Sequence, residues 1–186
     1  PDLSDGYGWG RTGNDDKVGY LGDVGAAFSK YYAALLTLRF PGSDDISDRI
    51  VDEPNARVVG RVTGDGIDVL QSEPAGTVYK RGRQTCGESG EILAARLTYN
   101  TDCLNFWEPQ KEYGQVRTSA TQEKGDSGGP VYIRRNDSSG PDDIFVLNMA
   151  TRNYNPDGES ALYAQGSSAD IMHREQGFSF GYNPFY

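Results

Sequence analysis

Gly125-Asp126-Ser127-Gly128-Gly129-Pro130 is the stretch on which the reading of the whole chain turns. Three glycines around one serine let the backbone take positive φ and approach a ligand closely, so the N–H groups of Gly125 and Ser127 can be aimed at one point. Two such donors make an oxyanion hole, each worth roughly 3 to 4 kcal/mol in the barrier of an acyl transfer, and Ser127 Oγ beside them is the candidate nucleophile. Taken alone, Gly-Asp-Ser-Gly is also ordinary loop composition, because Gly, Asp and Ser dominate turns. The flanking sequence decides between the two.

On either side the chain reads as short strands. Residues 113–119 alternate as a strand entering the serine loop, 131–135 leave it, 136–143 form a polar turn and 144–149 a buried strand. Residues 161–164 read as the last strand, and 167–175, with a capping start, as a closing helix. Upstream, 78–81 and 91–98 read as strands, and 58–62 and 67–70 as short strands broken by the hairpin-like turn Thr63-Gly64-Asp65-Gly66. Residues 41–55 are acidic and turn-rich, a solvated excursion without the ligand spacing of a calcium loop. The apolar stretches 18–28 and 31–40 fit a strand pair or a short helix, and 1–17 read as loop. Short apolar runs, 24 glycines and 11% aromatic residues point to an all-β protein.

With 186 residues the chain can bury a stable core without a metal or other staple. A formal charge of −9, with no basic stripe, argues against nucleic acid or an anionic membrane surface as partner. No apolar run is long enough to span a bilayer, and the start at Pro1, with neither Met nor a signal-like segment, reads as trimmed. Cys86 and Cys103 stand 17 apart and give neither a CxxC pair nor a four-ligand zinc pattern, so no metal is expected. A disulfide between them would contribute about 3 kcal/mol and imply an oxidising compartment; two buried free thiols are the alternative.

Residues 119–129, followed by Pro130-Val131-Tyr132-Ile133, resemble the chymotrypsin-like (trypsin-fold) serine endopeptidases. A second stretch, residues 78–87 followed by Gly90-Glu91-Ile92, resembles the opening strands of the second barrel in the secreted microbial branch of that family. The resemblance implies two six-stranded Greek-key β-barrels and a short C-terminal helix. The first barrel is expected to be incomplete here: residues 1–75 would hold its remainder and the linker, and 76–186 the second barrel. It further implies an extracellular enzyme without cofactor, acting on protein or peptide substrates. In animal members the carboxylate matching Asp126 pairs with a freed N-terminus; Pro1 suits that poorly, so Arg83 is expected as its bidentate partner, the alternative being a solvated strand residue. Thr151-Arg152-Asn153-Tyr154 stands where the family has a glycine admitting the substrate side chain, which removes the usual specificity rules.

A serine nucleophile needs a base and an orienting carboxylate, in the chain order His, Asp, Ser for this type. Asp23, in Gly22-Asp23-Val24-Gly25-Ala26-Ala27, precedes Ser127 by 104 residues, against roughly 90 in the template. Asp68 is the rival, but only 59 residues separate it from Ser127. His173, the one histidine, follows the serine and sits in the expected final helix, a poor position for the base. Counting back from Asp23 puts the family histidine about twenty residues before Pro1. Two functions follow: a serine endopeptidase whose histidine comes from its own upstream segment, cleaved but retained, or a pseudo-protease that binds a protein partner without hydrolysis.

Overall fold

The computed structural model describes residues 7–11, 17–28, 33–38, 50, 53, 55–73, 76–101, 110–136, 140–155, 162–177 and 183–185, with side chains described only from residue 50 onward and not at 99–101, 110–112 or 183–185. The chain divides into two compact units, residues 1–47 and 48–186. The boundary expected at residue 75 thus falls inside the second unit.

The first unit is a three-stranded antiparallel sheet of β1 (Tyr7–Arg11), β2 (Lys17–Phe28) and β3 (Ala33–Leu38), with β2 in the centre. The choice left open for residues 18–40 therefore resolves to a strand pair, and β1 forms where a loop was expected. Asp23 lies on β2, opposite Tyr7 on one side and Thr37 on the other.

The described residues of the second unit form two sheets and two helices. The first sheet runs in the order β13-β4-β10-β9-β5-β6, with β4 Ala56–Val62, β5 Val78–Gly82, β6 Cys86–Gly90, β9 Pro130–Arg135, β10 Asp142–Met149 and β13 Asn183–Phe185. The second runs β11-β12-β8-β7, with β7 Ile92–Thr101, β8 Gln110–Thr121, β11 Arg152–Tyr154 and β12 Tyr163–Ser167. Among the described residues neither sheet closes on itself. They enclose one core, with Val62, Val78, Val131, Phe145 and Leu147 from the first sheet meeting Ile92, Val116 and Ala164 from the second. β4 and β13 enter their sheet parallel to their neighbours.

β10 shows how pattern becomes position. Phe145 and Leu147 face the main core, whereas Ile144 packs with Ala56 and Tyr132 on the sheet's other face. A strand covered on both faces reads as a continuous apolar run rather than an alternation. Beneath that second cluster Glu53 is only 8% exposed. Its carboxylate accepts hydrogen bonds from Tyr132 Oη at 2.8 Å, Arg81 Nη2 at 3.2 Å and Arg134 Nη1 at 3.0 Å. So this end of the supposedly solvated excursion is a buried, fully engaged carboxylate, and burial and the adjacent Glu53 push the Tyr132 hydroxyl well above the ordinary tyrosine range.

The helices are α1 (Gly64–Ser72) and α2 (Ala169–Gln176). α1 corrects the strand expected at 67–70. Thr63 caps it, its Oγ1 accepting from Gly66 N–H at 3.1 Å, and Ile67 and Leu70, three apart, bury one helical face. α2 forms as expected: Ser168 Oγ caps it, and Gly177 ends it in the left-handed conformation with φ +71°.

Candidate active site

The serine loop lies between β8 and β9 and is built around Asp126. The Asp126 side chain is inaccessible to solvent, as is that of Lys80 on β5, and Lys80 Nζ stands 2.9 Å from Asp126 Oδ2. Thr85 Oγ1 donates to the same oxygen at 2.8 Å, and Glu123 N–H does so at 3.1 Å. The other oxygen, Oδ1, accepts from Gln84 N–H at 2.7 Å and Thr85 N–H at 3.3 Å. Five donors thus converge on one carboxylate, one of them a buried cation. Burial alone would push the Asp126 carboxyl up, but the bonds from Lys80, Glu123, Gln84 and Thr85 prevail and hold it well below the usual carboxylate range.

This corrects the expectation for Arg83, whose side chain is exposed while Lys80 supplies the cation. The reason is strand period. Val78 and Lys80 lie two apart on the buried face of β5, whereas Arg83 lies beyond the strand in the β5–β6 turn.

The clamp sets the backbone around Ser127. Asp126 N–H bonds to Glu123 O at 3.1 Å, and Gly129 N–H to Asp126 O at 2.9 Å. Gly128 N–H reaches Ala150 O at 2.7 Å, and Ala150 N–H returns to Gly129 O at 2.9 Å, tying the loop to the segment that begins β11. Gly125 sits at φ +109°, which no side chain tolerates without strain. Among the described residues the N–H groups of Gly125 and Ser127 have no acceptor, and Ser127 is exposed with no hydrogen-bond partner, His173 included. The loop therefore offers two unused backbone donors beside an accessible hydroxyl.

Two predictions test the clamp. A Cβ on Gly82 would run into the Asp126 carboxylate, so Gly82→Ala should destabilise the fold by about 1 to 3 kcal/mol in urea denaturation; an unchanged midpoint would show that the loop has room to spare. The second concerns acid. The folded pKa of Asp126 is depressed below its ordinary value of 3.8, so its stabilising contribution is fully present above that value and is lost as pH falls below it. Asp126→Asn should accordingly be less stable than the parent at pH 7, with the gap narrowing below pH 3.8. An equal gap at both pH values would contradict the clamp.

The remaining expected site residues fall as follows. Asp23 is on β2 of the first unit, where side chains are not described. The rival Asp68 is on α1, exposed and paired with Arg96 at 2.5 Å, a surface ion pair. His173 is half-buried in the last turn of α2. Cys86 is an exposed thiol, and Cys103, its expected disulfide partner, lies outside the described residues. Among the described residues no cluster could hold a metal ion, and no helix is long and apolar enough to cross a membrane.

Comparison of this architecture with solved structures decides the fold. A glutamic acid-specific serine protease superposes with a TM-score of 0.59 at 19% identity, over 87% of this chain and 74% of that one. The fold is that of the chymotrypsin-like serine proteases. Cellulomonas bogoriensis chymotrypsin matches at TM-score 0.58 and 16% identity over 92% and 80% of the two chains, and Thermobifida fusca protease A at 0.55 and 17% over 94% and 81%. No family model and no curated protein sequence matches the chain. The chymotrypsin-like fold is thus held here by a sequence only 16% to 19% identical to these proteins.

Proposed function

We propose that the chain carries the nucleophile of a serine endopeptidase acting on protein or peptide outside the cell. The supporting observation is the clamped loop, with an exposed Ser127 beside the unused N–H groups of Gly125 and Ser127. Ser127 Oγ bonds to the carbonyl carbon of a peptide while its proton passes to a base, and the carbonyl oxygen takes up negative charge opposite the two N–H groups. The C–N bond then breaks, the amine leaves with the proton, and water repeats the sequence on the acyl-enzyme. No cofactor is involved.

Asp23 is the proposed orienting carboxylate, and the proposed base is a histidine from outside these 186 residues, encoded before Pro1. The sequence provides only His173 otherwise, and it makes no hydrogen bond to Ser127. That same observation favours one alternative, a pseudo-protease whose cleft holds a protein partner. The readings separate by expressing the chain with and without its upstream coding segment and following cleavage of a quenched fluorescent peptide library, with Ser127→Ala as control. Cleavage that needs both the upstream segment and Ser127 is expected. Cleavage unaffected by Ser127→Ala would dismiss the endopeptidase, and binding without turnover would leave the pseudo-protease.

A further inference from the structure

Three residues form a row across neighbouring strands of the second sheet. Arg152 on β11 is the register partner of Gln165 on β12, and Gln165 is the partner of Arg117 on β8. Directly opposed residues point to the same face of a sheet. Their chain neighbours Val116 and Ala164 point into the core, so the row lies on the sheet's other face. There the Arg117 guanidinium lies 3.2 Å from the centroid of the Tyr154 ring and donates through Nε to Gln165 Oε1 at 3.1 Å. That bond fixes the orientation of the amide, since turning it over would set NH₂ against a guanidinium. Gln165 is 1% exposed, and its buried Nε2 has no acceptor. A buried donor left without an acceptor, set between two arginines, is costly by itself and matched to an anion.

The position of the row gives the anion a carrier. Among the described residues β11 is the terminal strand of its sheet, and it begins two residues after Ala150, which is bonded to Gly128 and Gly129 on either side. An extended peptide added along that edge by main-chain hydrogen bonds reaches Ser127, and alternate side chains fall on the Arg152 face. We propose that Arg152, Gln165 and Arg117 form a subsite for an acidic side chain, Asp or Glu, of a peptide bound along β11. The proposal rests on the endopeptidase reading for the direction of the peptide, and on the row itself for the charge. In a chain of net charge −9 such a site selects by contact rather than by long-range attraction.

The test uses the complete protein with any retained upstream segment, and fluorescent, C-terminally amidated hexapeptides carrying one Glu, or Gln in its place, at each position in turn. Amidation removes the terminal carboxylate, and an additional free-acid set shows whether a chain terminus serves instead. At one position the Glu peptide should bind about tenfold tighter than its Gln counterpart, with the preference shrinking in high salt. In Gln165→Glu the new carboxylate occupies the site from within and should abolish the preference, as should Arg152→Gln, with thermal melting to verify folding. Equal binding of Glu and Gln peptides, a preference surviving both substitutions, or a preference only for the free terminus would overturn the proposal. Fluorophosphonate labelling of the same sample separates the two claims. Labelling at Ser127 without a Glu preference defeats the subsite alone, and a Glu preference without labelling defeats the endopeptidase alone.

Discussion

Lys80→Met is expected to destabilise the protein by about 3 to 5 kcal/mol and to release the serine loop. The Lys80 and Asp126 side chains are both wholly inaccessible, 2.9 Å apart. Removing the ammonium therefore leaves a carboxylate in the interior with four neutral donors and no counter-charge. Such a charge is held far more weakly than one that is paired, and the uncompensated member accounts for most of the loss. The double substitution Lys80→Met with Asp126→Asn removes both charges and should recover a large part of the lost stability. Urea denaturation of the two variants checks this, with limited proteolysis at residues 123–129 reporting on the loop. A double variant no more stable than Lys80→Met alone would mean that the pair contributes as packing and not as charge.

Gly125→Val is expected to act oppositely, sparing the fold and silencing the site. At φ +109° a β-branched residue is strained, and a Cβ there would come within 3.2 Å of Gln84 Cγ. Relief of that strain rotates the peptide unit, and the Gly125 N–H is then lost as the proposed oxyanion donor beside Ser127. Loss of one oxyanion donor costs on the order of a hundredfold to a thousandfold in the acylation rate. Gly125 is exposed and outside both sheets, so the urea midpoint should move little. Acylation at the parental rate would remove Gly125 from the oxyanion hole.

Much of the second unit was legible because its signals are local. The glycine-rich loop, the alternation into β8 and the apolar run of β10 each report their own environment. The misses came where tertiary context overrides a local signal. Lys80 carries a charge that proteins almost never bury completely, so an exposed-sounding residue became the centre of the clamp; its spacing of two from Val78 on a strand was the available clue. Thr63-Gly64-Asp65-Gly66 satisfies a hairpin turn and a helix N-terminus equally well, and only the burial of Ile67 with Leu70 selects the helix. β6, Cys86–Gly90, has no buried residue and announces itself only by pairing with β5. Glu53 belongs to an acidic segment whose composition gave no hint that three donors await one of its carboxylates.

The most direct measurement is fluorophosphonate labelling followed by intact mass and peptide mapping. It is made on the purified chain and on the assembly obtained when the chain is expressed with whatever coding sequence precedes Pro1. A serine without a base stays near its weak intrinsic nucleophilicity, and oxyanion hole and binding alone sustain roughly a thousandfold over water. The expected result is a single adduct on Ser127 in the complete assembly, absent from Ser127→Ala and negligible in the chain alone. Full-rate labelling of the isolated chain would put the base on this chain and return His173 to consideration, and no labelling of the complete assembly would contradict the endopeptidase.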